Sequence, residues 1–92
     1  MLRITVRSES ETMRLVVEGK LTGACVGELE KTSQAAISNK DKKTILVDLS
    51  GVAFVDALGE ELLRRMHDQR IRLVATGKML KSLIEEIEST AK

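Results

Sequence analysis

Two segments at the start of the chain alternate between apolar and polar residues, which predicts two strands that each bury one face. They cover residues 2–6 and 13–18, and the polar run from Ser8 to Thr12 between them is typical of a turn. Because this connection is short, we predict an antiparallel hairpin. A loop with two glycines, residues 19–23, follows the hairpin.

Two more strands are predicted further along the chain. Residues 44–49 are apolar on both faces, as in a central strand with neighbours on either side. Ser50 and Gly51 then predict a turn, which a short apolar segment, residues 52–55, follows. Residues 70–75 alternate again and predict the last strand.

Three segments place apolar residues at helical spacing: residues 24–38, a stretch that begins at Ala57, and residues 78–89. The order is β-β-α-β-α-β-α, and strands separated by helices favour parallel crossovers. We predict one α/β domain over residues 1–92, a mixed sheet of about four strands with about three main helices. The predicted core includes Leu46, Val47, Leu62, Leu63, Leu73 and Leu83.

Composition narrows the classes of function. Hydrophobic residues make up 42% and charged residues 32% of the chain, enough to bury a core and keep a solvated surface. There are 15 Lys and Arg against 14 Asp and Glu, and Phe54 is the single aromatic residue. We therefore expect no nucleic-acid partner and interpret Lys40, Lys42 and Lys43 as a solvated loop. No apolar run approaches the roughly 20 residues of a membrane span, so no direct membrane insertion is expected.

The residues that commonly carry chemistry are few and scattered. Cys25 is the single cysteine, which excludes an intrachain disulfide and fits a reducing, cytoplasmic location. Neither Cys25 nor His67 has a neighbour at metal-ligand spacing. Asp48 and Asp56 lie near the end of the apolar strand region, but two carboxylates make a weak magnesium site. The simpler interpretation is that Asp48 ends a strand and Asp56 caps a helix, so we expect no catalytic residue, metal or cofactor.

The segment Asp56–Gly59 carries the most information about function. Asp56 precedes the second predicted helix, where a carboxylate accepts hydrogen bonds from the first free amides. The amides of Ala57, Leu58 and Gly59 would then point outward, which suits contact with an anion or a partner protein. The alternative is that Asp56 is only a cap and that Gly59 only permits close packing.

The chain resembles a STAS domain, the fold of bacterial anti-sigma factor antagonists of the sporulation type. The resemblance rests on the β-β-α order, on Glu18–Thr22, on Val47–Val52 and on the block Phe54–Gly59. It implies a non-catalytic interaction domain that docks Asp56, Ala57, Leu58 and Gly59, bordered by Thr22 and Gly23, onto a protein partner. For an antagonist, that partner is an ATP-binding serine kinase of the anti-sigma type, which phosphorylates the first hydroxyl residue of the block.

This chain departs from the family pattern at the phosphorylation site. Ala57 occupies the acceptor position and Leu58 the next one, so no phosphorylation is expected there. Thr22 also stands where antagonists often carry an acid, and the second helical segment is short for the family.

Several functions remain open from sequence. The partner is a serine kinase of the anti-sigma type, or a transporter subunit if the chain is a small STAS subunit of a phospholipid-transport ABC system. A scaffold in a stress-signalling complex is a third version, and a homodimer is open. The alternative from another class is a nucleotide-binding module, with Thr22, Asp48 and Asp56 around a phosphate.

Overall fold

The computed structural model describes residues 2–38 and 44–90, which form one four-stranded sheet and three helices in the predicted order. The predicted fold class is thus confirmed. The charged segment at residues 39–43, in which Lys40, Lys42 and Lys43 were predicted to form a solvated loop, lies outside the described residues. The strands are β1 (Leu2–Ser8), β2 (Thr12–Leu21), β3 (Thr44–Val55) and β4 (Arg72–Val74). The helices are α1 (Ala24–Ser38), α2 (Ala57–Asp68) and α3 (Lys78–Thr90).

The sheet has the strand order β1-β2-β3-β4, with β1 antiparallel to β2 and the other neighbours parallel. Both parallel crossovers step in the same direction across the sheet. Because such connections are right-handed, α1 and α2 cover the same face. Helix α3 contacts α2 and β4. The opposite face, which carries Arg14, Leu46 and Asp48, is covered by no described helix.

The core lies between the helices and one sheet face. Four of the six predicted core residues are buried there, namely Val47, Leu62, Leu63 and Leu73. Leu46 and Leu83 are only half-buried, so those two predictions are wrong in degree. Leu46 points to the uncovered face of the sheet, and Leu83 lies beside the stripe of α3 that fills the core. That stripe consists of Leu80, Ile84 and Ile87.

The predicted turn at Ser50–Gly51 is wrong, because β3 continues through both residues to Val55. The pairing with β2 shifts on either side of Gly51, so β3 carries extra residues opposite β2, as in β-bulges. A bulge uses the same small and polar residues as a turn, which explains the error. As a result, Asp48 lies within the strand and does not end it, and β3 reaches the start of α2 directly.

Strands β2 and β4 also begin or end at residues other than those predicted from the sequence. Strand β2 extends to Leu21, so the predicted loop over residues 19–23 shrinks to Thr22 and Gly23. Gly19 keeps its place in the strand with a φ of 108°, a value that favours glycine. Strand β4 is limited to Arg72–Val74.

Candidate functional site

The candidate site lies where the carboxyl ends of β2 and β3 meet the first turns of α1 and α2. Leu21 and Val55, the last residues of the two strands, are paired in the register. The Asp56 amide donates to the Leu21 carbonyl at 3.3 Å, which continues the pairing by one residue. The short β2–α1 loop and the start of α2 are therefore held side by side.

Asp56 is the N-cap of α2, as predicted, and joins the two segments. Its backbone is extended, with φ −91° and ψ −175°. Its Oδ1 accepts a hydrogen bond from the Gly59 amide at 2.9 Å. Its Oδ2 accepts from the Gly23 amide at 3.0 Å, across 33 residues of sequence. One carboxylate thus caps a helix and fixes the neighbouring loop.

The β2–α1 loop is compact and leads directly into α1. The amide of Cys25 donates to the Thr22 carbonyl at 2.9 Å, and that of Val26 donates to the Gly23 carbonyl at 3.2 Å. Gly23 has a φ of 49°, in the left-handed region that favours glycine. A residue with a side chain at this position would strain the loop that Asp56 holds.

Gly59 lies beneath the surface, which corrects the prediction that it belongs to an exposed rim. It is buried, and its amide is already bonded to Asp56. A Cβ placed on Gly59 would lie 2.5 Å from the Leu21 carbonyl oxygen and 2.9 Å from Val55 Cγ1. The alternative interpretation of this residue, a glycine that permits close packing of α2 on the strand ends, is the one that the geometry supports.

The surface around Asp56 is otherwise open and partly apolar. Gly23, Ala57 and Leu58 are exposed, whereas Asp56 and Thr22 are half-buried. We refer to these five residues as the docking rim. Leu58 exposes 55% of its surface.

Phe54, which precedes the docking rim by two residues, exposes 49% of its surface. The sequence predicted an exposed Leu58 but did not single out Phe54 as exposed. The sequence signal that could have identified both residues is a large apolar side chain on each side of the predicted N-cap, Asp56. Phe54 pairs in register with Lys20 on the uncovered face of the sheet, so Leu58 is the large exposed apolar residue of the docking rim itself.

Asp48 lies far from Thr22 and Asp56. These three residues therefore cannot surround one phosphate group, as the nucleotide-binding alternative requires. Asp48 pairs in register with Val16, five residues before the end of β2, and is thus about 17 Å from the docking rim at 3.3 Å per residue. It points to the uncovered sheet face, where Arg14 Nη1 contacts its Oδ2 at 3.3 Å. The Ser50 amide donates to its Oδ1 at 3.0 Å. Hydrogen bonds from Ser50, helped by Arg14, lower the pKa of Asp48 despite its partial burial.

The remaining candidate residues are not brought together either. Cys25 and His67 are both half-buried, on α1 and α2. Within residues 2–38 and 44–90, no group of three or more His, Cys, Asp or Glu side chains is arranged to hold a metal ion. No described helix is long and apolar enough to cross a membrane.

The comparisons with known proteins agree with this architecture. A family model described as "Mlab, STAS domain" matches residues 4–88. A search of curated proteins found no match.

Solved structures share the fold at low sequence identity. An anti-sigma factor antagonist from Mycobacterium paratuberculosis is 15% identical with a TM-score of 0.72, over 98% of this chain and 82% of that one. The anti-sigma factor antagonist SpoIIAA in its unphosphorylated form is 17% identical with a TM-score of 0.65, over 90% and 82%. An uncharacterized protein with a SpoIIAA-like fold from Shewanella loihica is 11% identical with a TM-score of 0.57, over 86% and 71%.

Proposed function

The chain belongs to the STAS domain family, and from this premise we propose that it is a non-catalytic docking domain whose rim binds a protein partner. The observation that carries the proposal is the docking rim itself, an exposed surface built around a helix start that Asp56 holds rigid with two hydrogen bonds. A rigid surface loses little conformational freedom when it binds. We propose a cytoplasmic location, where a single thiol such as that of Cys25 stays reduced.

Binding at this rim is independent of phosphorylation in our proposal. Residues 52–62 contain no Ser, Thr or Tyr, so no phosphoryl group can be attached where the family carries its acceptor. In a phosphorylatable relative, the modification would add about −1.5 to −2 charges at this surface. Here neither Ala57 nor Leu58 can acquire that charge, and the exposed side chain of Leu58 supplies apolar contact area.

Two partner classes follow from the comparisons. The fold shared with two anti-sigma factor antagonists supports a serine kinase of the anti-sigma type. The name of the matching family model, Mlab, supports the other class, in which the chain is the small STAS subunit of a phospholipid-transport ABC system and binds a transporter subunit.

Binding assays with two variants test where the partner docks. The purified chain is titrated against the anti-sigma-type kinase and against the ATP-binding transporter subunit of the same genome. Leu58→Ser should weaken binding by about 1–3 kcal/mol, the range for a buried apolar anchor.

Met79→Ser is the matched control, because Met79 is at least as exposed as Leu58 but lies on α3, which forms no part of the docking rim. If Met79→Ser abolishes binding and Leu58→Ser does not, the partner docks elsewhere and the proposal fails.

Substitutions at Ala57 test the class of partner and the absence of a switch. Ala57→Ser restores an acceptor hydroxyl on an exposed residue. A serine kinase partner and ATP should then phosphorylate this variant, whereas the wild-type peptide over residues 52–62 stays unmodified.

Ala57→Asp places a carboxylate at the rim. Its folding free energy should change by only about 0.3–1 kcal/mol, because negative charge suits a helix N-terminus but Asp56 and Glu60 are near.

Partner affinity of Ala57→Asp should fall by several kcal/mol, because an unpaired charge is desolvated on binding. Unchanged affinity in a folded Ala57→Asp variant would mean that the docking rim is not the interface.

A further inference from the structure

Strand β1 leaves one long edge of the sheet open. It is the outermost strand, and its inner side pairs with β2 over seven residues, from Leu2 to Ser8. No described strand pairs with its outer side, so alternate backbone amides and carbonyls face outward. The other edge strand, β4, has only three residues. A long edge of this kind is a template for another extended segment.

The polar face of β1 carries two arginines without acidic partners. Arg3 and Arg7 are exposed, and neither forms an ion pair with any residue that the structure describes. Glu18 is the register partner of Arg3, and its Cβ and Cγ lie against Gly51 of β3. No ion pair joins Glu18 to Arg3 in the described structure.

Arg7 has an arginine as its register partner, Arg14. The acidic side chains near this pair are already used by Arg14, which contacts Asp48 at 3.3 Å and Glu9 at 3.8 Å. Like charges opposite each other in a ladder are unfavourable unless an acid neutralises them. Arg7 itself is exposed and forms no ion pair with any residue that the structure describes.

The other face of β1 is apolar and incompletely covered. Val6 exposes 52% of its surface although its register partner Leu15 is completely buried. Ile4, opposite the buried Val17, is half-buried. Helix α1 packs on β2, the strand next to the edge. An added strand would extend the covered apolar surface over Ile4 and Val6.

We propose that the outer edge of β1 binds an extended segment of another protein in which acidic and apolar residues alternate. Its backbone pairs with β1 as an additional strand. Its acidic side chains lie on the face of Arg3 and Arg7, and its apolar side chains lie beside Ile4 and Val6. This interaction uses a different edge from the docking rim and does not depend on it.

A second copy of this chain fits the same edge poorly in the register that pairs all seven residues of β1. If two β1 strands paired antiparallel about a two-fold axis at Thr5, Arg3 of each copy would stand opposite Arg7 of the other. Such pairing places four arginines on one face, which opposes it. The charge pattern therefore favours a foreign acidic segment over self-pairing in this register.

Two synthetic peptides test the proposal on the intact chain. The probe is acetyl-Thr-Glu-Val-Glu-Val-Glu-Thr-amide, and its control replaces each Glu with Lys. The Glu peptide should bind at least about tenfold more tightly at low salt, the order expected of two exposed ion pairs. This preference should shrink in about 0.5 M salt, where charges are screened within roughly 4 Å. Equal binding of the two peptides would overturn the proposal.

Two further measurements separate strand addition from simple charge attraction. Hydrogen exchange of the β1 amides should slow at alternate residues when the Glu peptide is added, because only outward amides gain partners. Binding without this protection would refute strand pairing. Arg3→Glu combined with Arg7→Glu should transfer the preference to the Lys peptide, whereas Arg72→Glu, on the same face at the far edge, should leave it unchanged. A concentration-dependent dimer that the double variant disrupts would contradict the selection against self-pairing.

Discussion

Replacing Gly59 with alanine tests the packing on which the docking rim depends. The new Cβ would lie 2.5 Å from the Leu21 carbonyl oxygen and 2.9 Å from Val55 Cγ1. The first of these atoms belongs to the backbone, so the start of α2 must move outward. Overpacking of this kind costs about 1–3 kcal/mol. Movement of the helix also strains the 2.9 Å hydrogen bond from the Gly59 amide to Asp56.

Helix propensity opposes the clash, and the balance of the two decides whether a Gly→Ala substitution raises or lowers the free energy of unfolding. Alanine is favoured over glycine in a helix by about 0.8–1 kcal/mol, so a Gly→Ala change without a clash stabilises. Gly27 in α1 is such a position, since a Cβ there would meet nothing within 4 Å. We expect Gly27→Ala to stabilise the fold by about 0.4–1 kcal/mol. For Gly59→Ala we expect a net loss of about 1–3 kcal/mol, because the clash and the weakened cap exceed the gain in propensity.

Urea and thermal unfolding followed by circular dichroism measure both variants. In a domain of this size, 1 kcal/mol shifts the Tm by roughly 4–8 °C, so the two substitutions should move it in opposite directions. If Gly59→Ala were as stable as Gly27→Ala, the close approach of α2 to Leu21 would be wrong. The docking rim would then lack the rigid base that we assign to it.

Three further predictions concern the core, the cap and pH. Leu63 is completely buried, so Leu63→Ala should lower the unfolding free energy by about 2–5 kcal/mol, and a loss below about 1 kcal/mol would show that the wrong face of α2 was assigned to the core. Asp56→Ala should cost about 1–2 kcal/mol and accelerate amide exchange at Gly23, whereas Asp56→Asn, which keeps one acceptor oxygen, should lose less. Hydrogen bonds from Ser50 lower the pKa of Asp48 below its ordinary 3.8. The stability that Asp48 contributes is thus complete above pH 3.8 and is lost as the pH falls toward the lowered folded-state pKa. The stability gap between wild type and Asp48→Asn should shrink below that pH, and a constant gap would contradict the assignment.

The sequence predicts the elements of this fold well because each has a periodic apolar face. The alternation in residues 2–6 and 13–18 predicts the hairpin, and the doubly apolar run 44–49 predicts the inner position of β3. The N-cap at Asp56 is also predictable, because a short acidic side chain before a helical stripe satisfies free amides within a few residues. These signals are local, and local patterns are what a single sequence displays.

Features that depend on distant residues could not be predicted in this way. The bulges around Gly51 are set by the register with β2, and small residues there indicate a turn equally well. The burial of Gly59 depends on the Leu21 carbonyl, 38 positions earlier in the chain. Met79 is exposed although it has helical spacing with the buried Ile87, so spacing alone does not decide which residues of α3 reach the core.

The hydrogen bonds of Asp56 restrict how the docking rim recognises its partner. Both carboxylate oxygens already accept internal amides, at 2.9 and 3.0 Å, so Asp56 can bind a further group only at the expense of the cap and the loop. Recognition therefore falls to the neighbours, and Leu58 offers apolar area that no phosphorylation at Ala57 can alter. Apolar contact varies little with pH or salt near physiological conditions. It follows that, under the proposed function, control of the complex lies with the abundance or conformation of the partner, because Ala57 has no hydroxyl at the family's acceptor position through which the affinity of this chain could be switched.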